Sequence, residues 1–285
     1  MLRDITLGQY YQTDSILHRM DPRTKLVGTF IFIISIFIKK NIFVFTLATI
    51  FLIATIAISK VPVKFIFRGM KPILAMLIFT VVLNLFMYGG DTVLWQWKFI
   101  KITKEGLINA GYMGARIALL VIGASIMTLT TKPTNLTDGL EHLLHPLVHI
   151  KVPVHEVAMM MSIALRFIPI LMDETDKIMK AQLARGADFE NGNVIKRIKS
   201  YIPIMIPLFI SSFRRAGDMA MAMEARCYKG GSGRTKMKPL KYHKRDVIAY
   251  VVLILFLTGA ILLAIYTNVK PEVDISAIVS SITME

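Results

Sequence analysis

The sequence contains a single cysteine, Cys227, which excludes a disulfide within one chain and cannot make a metal site by itself. It also lacks a phosphate-binding GxxxxGK[ST] loop. The nearest text, GGSGRT at residues 230–235, has no lysine to reach nucleotide phosphates and does not follow a predicted strand. We therefore expect that the chain is not an enzyme and does not hydrolyse nucleotide alone. No apolar segment of the signal-peptide type precedes residue 25, so membrane insertion is expected to use internal segments.

Apolar residues are what the sequence has in abundance. They make up 54% of the 285 residues, and the mean hydropathy is +0.57. One soluble core of this size cannot bury so much apolar surface, so the chain is predicted to be an integral membrane protein whose remaining apolar surface meets the lipid bilayer. The net charge is +15, but the Lys and Arg residues lie between the apolar runs, as cytoplasmic loops require. Nucleic acid is therefore not an expected partner.

Five apolar runs are predicted to span the bilayer. They cover residues 26–38, 42–59, 72–88, 106–130 and 247–266. The first two are expected to form a tight hairpin, because Lys39 and Lys40 between them can reach one membrane face. Pro72 is placed in the first turn of the third helix, where no amide donor is needed. Trp95 and Trp97 lie in a short polar loop before the fourth helix and suit the headgroup region.

The region 131–245 has a different pattern, with recurring prolines, 19 Lys or Arg residues and no uninterrupted apolar run of spanning length. It is predicted to form long amphipathic helices in the cytoplasm. The fold class is thus an all-α integral membrane protein with an N-terminal membrane region, 1–130, a cytoplasmic region, 131–245, and a C-terminal membrane helix with a short tail, 246–285. Lys and Arg number four, two, four, three, 19 and one in the successive segments outside the runs. This alternation places the N-terminus in the cytoplasm and the C-terminus outside the cell.

Arg116 lies inside the fourth apolar run. An arginine in the membrane is costly, so two interpretations stay open. In the first, Arg116 forms a buried ion pair or contacts a substrate. In the second, its side chain extends towards a membrane face or the cytoplasm.

A group of histidines and glutamates in the region 131–245 has the composition of a metal site. Its members are Glu141, His142, His145, His149, His155 and Glu156. Pro146 and Pro153 interrupt the helix that would align them, and no HExxH motif is present, so packing at an interface is expected and no metal is predicted. Nearby, Asp173, Glu174 and Asp176 follow Pro169 and are predicted to lie at a helix N-terminus.

The most informative feature is a weak internal repeat. MKAQLARGAD, from residue 179, matches AMAMEARCYK, from residue 220, at two alanines and one arginine. Two interpretations stay open for Arg185 and Arg226. In the first, each arginine is a cation near the C-terminal end of a helix, and Gly186 can close the first of these helices in a left-handed conformation. Alternatively, each is a planar guanidinium suited to bidentate capture of a carboxylate in a partner's groove.

Methionine is frequent in the same region, with nine residues between 159 and 223. Flexible thioether side chains can repack against partners of different shape, although ordinary core filling explains the same pattern.

Six sequence segments, taken in their order along the chain, carry a resemblance to a known protein family. They are MDPRTKL (20–26), LTDGLEHLL (136–144), VPVHEVAMMMSIALRFIP (152–169), KAQLARGADFENGN (180–193), IPLFISSFRRA (206–216) and AMEARCYKG (222–230). Together they resemble EcfT, the transmembrane coupling subunit of the energy-coupling factor transporters, which are a branch of the ABC importers.

The resemblance implies a chain that joins two cytoplasmic ATPases, of the EcfA and EcfA-prime type, to an exchangeable membrane subunit, the S-component, which binds a vitamin or another micronutrient. ATP and magnesium would be bound by the ATPases, with no cofactor in this subunit. The chain would lie in the bacterial plasma membrane. Helix movement driven by ATP would tip the S-component and release its substrate inward.

By the same resemblance, two helix-end motifs dock into the ATPases: Ala184-Arg185-Gly186 and Ala225-Arg226-Cys227. The second departs from the family's Ala-Arg-Gly. Cys227 accepts a left-handed conformation less readily than glycine, so Gly230 or Gly231 is an alternative end of that helix.

The apolar faces of the two helices are expected to meet the S-component. The residues in question are Met159, Met160, Met161, Leu165, Pro203, Pro207 and Phe213. A subunit dedicated to one S-component, for example for cobalt, nickel or biotin, has the same architecture, and an intramembrane metal enzyme using the histidines is a further alternative.

Overall fold

The structure is a computed structural model, and it describes residues 10–87, 93–97, 100–187, 189, 193–231, 237 and 239–269. This part of the chain holds eight α-helices, one 3-10 helix (His145–Ile150) and one two-stranded sheet. The helices are α1 (Pro22–Ile38), α2 (Ile42–Ser59), α3 (Val63–Met87), α4 (Lys104–Thr130), α5 (Pro133–Leu144), α6 (Val154–Ala184), α7 (Val194–Ala225) and α8 (Lys244–Val269). The strands are β1 (Val93–Trp97) and β2 (Ile100–Thr103).

Three helices begin at side-chain caps that the sequence supplies. The carboxylate of Asp21 accepts from the backbone N–H of Arg23 at the start of α1. Asn41 accepts from Phe43 N at the start of α2, and Thr103 caps α4 in the same way. Each cap satisfies an amide that has no carbonyl partner within the helix.

In the part of the chain that the structure describes, five helices are long and apolar enough to cross a membrane, namely α2, α3, α4, α6 and α8. The prediction of an all-α, multi-pass membrane protein is confirmed, but the five helices differ from the expected set. α1 has 17 residues, which is at the lower limit of the roughly 17–25 residues that cross a hydrocarbon core, so it lies just outside this set. α6 joins the set because one stretch of 18 residues within it is apolar apart from a few polar residues such as Arg166, whereas the sequence argument considered only uninterrupted runs.

The third membrane helix begins earlier than predicted. α3 begins at Val63, so Pro72 lies inside the helix and its placement in the first turn was wrong. Pro72 removes one backbone hydrogen bond, a change that costs about 3 kcal/mol in a helix in water. Membrane helices tolerate internal prolines because neighbouring groups satisfy the freed carbonyl.

The segment predicted as a polar loop with Trp95 and Trp97 contains a short hairpin. β1 and β2 pair antiparallel, with Val93 opposite Thr103 and Trp97 opposite Ile100. The alternation of β-branched and aromatic residues in VLWQW and IKIT is typical of strands and outweighs the polar composition of the segment.

Contacts divide the chain into two units. Of the described residues, the first unit comprises those in 10–132 and 240–269 and contains α1–α4 and α8, and the second comprises those in 133–239 and contains α5–α7. In the first unit, α3 packs along α4 and α1 packs against α8. Its core includes Phe32 and Ile36 of α1, and the rings of Phe51 and Phe256 stack with centroids 4.4 Å apart.

A buried carboxylate joins the start of α1 to the start of α8. Asp246 is 0% exposed, and its oxygens accept from the backbone N–H groups of Asp21 and His243, each at 2.9 Å. Arg23 donates to the carboxylate of Asp21 at 3.0 Å and stacks over the ring of Tyr242, 4.1 Å from its centroid. These hydrogen bonds fix the relative position of the starts of α1 and α8, which the bond between Asp21 and Asp246 joins across 225 residues of sequence.

The segment before α1 is held by a neutral histidine. His18 Nε2 lies 3.0 Å from the carbonyl oxygen of Tyr11, and Nδ1 lies 2.7 Å from the hydroxyl of Ser15. A carbonyl can only accept, so Nε2 donates to Tyr11, and in the neutral form of the ring Nδ1 accepts from Ser15. Burial lowers the pKa of His18 below its ordinary value.

Candidate functional site

The second unit contains both arginine motifs, each at the end of a long helix. α6 ends at Ala184, and Arg185 is its C-cap residue. Gly186 follows with φ of +85°, its N–H donates to Leu183 O at 3.0 Å, and Ala187 N donates to Gln182 O at 3.0 Å. This pair of bonds is the Schellman motif, which satisfies carbonyls that the helix leaves without partners.

α7 ends in the same way. It ends at Ala225 with Arg226 as the C-cap, and Cys227 has φ of +55°. Cys227 N donates to Glu224 O at 2.8 Å and Tyr228 N donates to Met223 O at 3.0 Å. The two helix ends therefore share one backbone geometry, with arginine in the same position of each.

The alternative that Gly230 or Gly231 ends α7 is wrong. A left-handed conformation costs a residue with a side chain roughly 1–2 kcal/mol. The two hydrogen bonds that the conformation allows contribute about 0.5–1.5 kcal/mol each, which is enough to offset the cost. Cys227 therefore takes the position that Gly186 takes in α6, and Gly230 follows it with its own positive φ of 92°.

Both motif arginines are exposed, as are the alanine before each and the glycine or cysteine after it. Within the described residues, the ion pairs of the structure involve neither Arg185 nor Arg226. The backbone of each arginine closes its helix while the guanidinium extends into solvent. The arrangement presents two planar cations, each at a position fixed by a capped helix end.

The apolar residues predicted to contact a membrane partner lie on the same two helices. Met160 and Met161 of α6 are 58% and 43% exposed, and Phe213 of α7 is 65% exposed. Met159 and Leu165 are half-buried, and Pro203 and Pro207 are exposed positions within α7.

The apolar surface of α7 is larger than the sequence argument indicated. It also includes Tyr201, Ile202, Met205, Ile206, Phe209 and Ile210, all of them exposed. They form two neighbouring rows, 201, 205 and 209 beside 202, 206 and 210, with members four residues apart, which places most of them along one helix face. A surface of this size is typical of a contact with lipid or with another protein.

A polar contact that the sequence argument missed connects α6 to α7. Glu174 accepts from Ser211 Oγ at 2.6 Å and from Arg215 at 2.8 Å. The expectation that Asp173, Glu174 and Asp176 lie at a helix N-terminus was wrong, because α6 begins at Val154 and continues through Pro169. A partner 37 residues away in sequence leaves no local pattern from which to find it.

The histidine group is spread over α5, the 3-10 helix and α6. His155 Nδ1 lies 2.9 Å from Glu141 Oε1 and thereby connects α6 to α5, while His145 and His149 are exposed. Among the described residues, no three or more His, Cys, Asp or Glu side chains come together as a metal site. The packing role expected of this group has one clear instance in the pair Glu141–His155.

Arg116, in the first unit, packs against aromatic rings. Its guanidinium lies 5.2 Å from the ring centroid of Phe37 and 5.8 Å from that of Phe45, at the adjoining ends of α1 and α2. Contact with an aromatic face stabilises a cation where solvent is scarce. The side chain points back along α4 towards its N-terminal end, as long helical side chains do.

These features define a class of protein: a multi-pass helical membrane protein with two long helices that end in exposed, capped arginines. A family model described as "CbiQ: Cobalt transport protein" matches residues 13–237. The chain is also 54% identical over 263 residues to the "Energy-coupling factor transporter transmembrane protein EcfT" of Ruminiclostridium cellulolyticum, covering 92% of this chain and 98% of that one.

Two further relatives carry the same name. The protein of Clostridium kluyveri is 52% identical, covering 93% of this chain and 99% of its own, and that of Bacillus subtilis is 44% identical, covering 89% and 96%. The chain therefore belongs to the EcfT family of transmembrane proteins of energy-coupling factor transporters. The family resemblance predicted from the sequence is confirmed.

Proposed function

We propose that this chain couples two cytoplasmic ATPases, of the EcfA and EcfA-prime type, to an exchangeable substrate-binding S-component in the plasma membrane. Arg185 and Arg226 each dock into a groove of one ATPase, together with the small residues beside them. The observation that carries the proposal is the common geometry of the two helix ends, each of which presents an exposed arginine next to a left-handed residue. One common shape suits two related partners.

The chain acts in transport and catalyses no reaction itself. ATP and magnesium bind to the ATPases, and this subunit carries no cofactor. Closure of the ATPases moves the ends of α6 and α7, and the contact of Glu174 with Ser211 and Arg215 makes the two helices move together.

The apolar faces of α6 and α7 contact the S-component. Exposed methionines such as Met160 and Met205 adapt to partners of different shape, which suits the exchange of S-components for different vitamins or other micronutrients. A single dedicated S-component is the second candidate, and the cobalt description of the matching family model favours it. Mass spectrometry of the complex purified from cells distinguishes the two, because several co-purifying S-components indicate a shared subunit.

The docking proposal is tested by substituting both arginines, singly and together. Removing an arginine from a partly buried pair leaves the partner's carboxylate without its counter-charge, at about 2–5 kcal/mol, and lysine does not restore the planar fork. We expect Arg185→Ala or Arg226→Ala to impair ATP-driven uptake in vesicles strongly. The double variant should also release ATPase from the affinity-purified membrane subunit.

The matched control is Arg214→Ala, which removes an exposed arginine from the body of α7. If the arginines served only as helix caps, they would contribute roughly 0.3–1 kcal/mol and lysine would replace them. Full uptake in the Lys variants, or full ATPase retention in the double Ala variant, would therefore refute docking.

The orientation proposed for the chain has α1, and not α6, crossing the membrane. It gives a cytoplasmic N-terminus, a cytoplasmic region 131–245 and an external C-terminus. Residues 270–285 lie outside the described part of the structure, but the charge distribution gives their expected side. A cysteine introduced at Ser280, in a Cys227→Ser background, should react with a membrane-impermeant maleimide in whole cells. Labelling that appears only after lysis would contradict this orientation.

A further inference from the structure

The first unit contains an apolar cavity of about 300 Å³ between α1, α2, α4 and α8. Its wall comes from the N-terminal halves of α1 and α8 and the C-terminal halves of α2 and α4, so it opens at one end of this helix group. Ala54 and Ile58 of α2 and Ile248 of α8 lie on the wall and remain exposed. The cavity is therefore accessible from the surface that faces the membrane, and its lining suits a hydrocarbon chain.

One polar group on this wall lacks a partner. The hydroxyls of Thr29, Thr55 and Thr130 each donate to the backbone carbonyl four residues earlier, at 2.8–2.9 Å. Thr24 is 1% exposed, and its hydroxyl has no hydrogen-bond partner among the described residues. Thr24 lies in the first turn of α1, where no helical carbonyl precedes it at this spacing. A buried hydroxyl of this kind is costly unless a ligand satisfies it.

Cations surround the same end of the cavity. Arg245 lies on the wall, and Lys60 follows directly after α2. Arg19 forms an ion pair with Asp14, and its hydrogen bond, with the charges of Lys60 and Arg245, holds the pKa of the Asp14 carboxyl below its ordinary value. Three cations from three chain segments thus lie near one carboxylate, and the buried Lys25 is a further cation on the cavity wall.

We propose that this cavity binds one anionic phospholipid. An acyl chain occupies the apolar cavity, an ester carbonyl accepts from the hydroxyl of Thr24, and the phosphate lies between Lys60 and Arg245. A phospholipid has these three groups in this order along its length, and a free anion has no part that fits the apolar wall. Neutral lipids lack the net charge that the cations favour.

The proposal is tested on the delipidated full-length chain by native mass spectrometry, with phosphatidylglycerol and phosphatidylcholine of identical acyl chains. We expect one phosphatidylglycerol per chain, bound about tenfold more tightly than phosphatidylcholine, since each cation near the headgroup adds to the preference. The double variant Lys60→Gln, Arg245→Gln should lose this preference. The control, Lys64→Gln with Lys241→Gln, removes the same charge from two exposed lysines and should retain it.

A second pair of variants tests the acyl-chain site. Ala54→Phe fills the cavity and should reduce binding of both lipids, whereas Ala57→Phe places the same ring elsewhere on α2 and should not. Equal binding of the two lipids, equal loss in both phenylalanine variants, or displacement of phosphatidylglycerol by inorganic phosphate would each overturn the proposal. The charge variants leave the apolar wall unchanged, so they keep the test decisive if Ala54→Phe fails to fold.

Discussion

The two helix ends allow the effect of a side chain at a left-handed position to be tested by two substitutions, with opposite expected effects on the stability of the helix end. Gly186 and Cys227 occupy equivalent left-handed positions, with φ of +85° and +55°. Gly186→Ala should weaken the end of α6, because alanine is strained at positive φ. Cys227→Gly should strengthen the end of α7, because the strain that cysteine bears is removed.

The expected magnitude follows from two opposing contributions. Removing the side chain at a left-handed position gains roughly 1–2 kcal/mol. Glycine also gains freedom in the unfolded chain, which subtracts about 0.4–1 kcal/mol. The net effect is about 0.5–1 kcal/mol at each end, a two- to fivefold change in a local opening equilibrium. No atom lies within 4 Å of a Cβ built on Gly186, so a steric clash does not contribute.

Hydrogen exchange of the intact protein, measured by mass spectrometry, is the suitable assay. The amides of Gly186 and Ala187, or of Cys227 and Tyr228, report on the Schellman bonds. Gly186→Ala should speed exchange in the peptide that covers the end of α6, and Cys227→Gly should slow it at the end of α7.

The control is Gly217→Ala, the same chemical change inside α7. Gly217 does not have a left-handed φ, and a Cβ built on it has no atom within 4 Å. Alanine should therefore stabilise the helix by about 1 kcal/mol and slow exchange. If Gly186→Ala also slowed exchange, or Cys227→Gly speeded it, the argument from left-handed strain would be refuted.

Two further predictions concern the first unit. Asp246→Ala leaves the buried amide of Asp21 and the part-buried amide of His243 without an acceptor, and it should destabilise the protein by about 2–3 kcal/mol in thermal unfolding. Substitution of the exposed Asp218 by alanine should change little, and equal effects would contradict the buried role of Asp246. Burial lowers the pKa of His18, so the stability contributed by its neutral form is complete above its ordinary pKa and is lost as the pH falls. The melting temperature should drop as the pH falls below the ordinary histidine pKa of about 6.5, and His18→Gln should flatten this slope. An unchanged slope in the variant would refute the assignment.

Much of the fold follows from the sequence because membrane helices need long apolar segments. The ends of α1 at Ile38 and of α2 at Ser59 match the predicted runs, since charged or polar residues mark both boundaries. Pro72 misled the prediction for α3, because the rule for proline in water was applied to a helix that lipid and neighbouring helices stabilise.

Contacts between distant segments could not be predicted in this way. Arg215 donates to Glu174, which lies 41 positions earlier in the sequence. The amide of Asp21 donates to Asp246, which lies 225 positions later. A carboxylate that meets its partner only after the helices pack leaves no periodic signal in the sequence. The sequence therefore suggested a helix N-terminus for Glu174, whereas its carboxylate accepts hydrogen bonds from side chains of α7.

The two interpretations of the arginine motifs, helix cap and partner contact, are compatible at the level of atoms. The cap uses the backbone of Arg185 and Arg226, while the proposed docking would use their guanidinium groups, which remain exposed. A fixed backbone limits the directions in which each side chain leaves its helix, and this lowers the entropy lost on binding. In the docking that we propose, the left-handed residue after each arginine would hold the arginine in place. A sequence with cysteine at 227 keeps this geometry at a small cost in local stability.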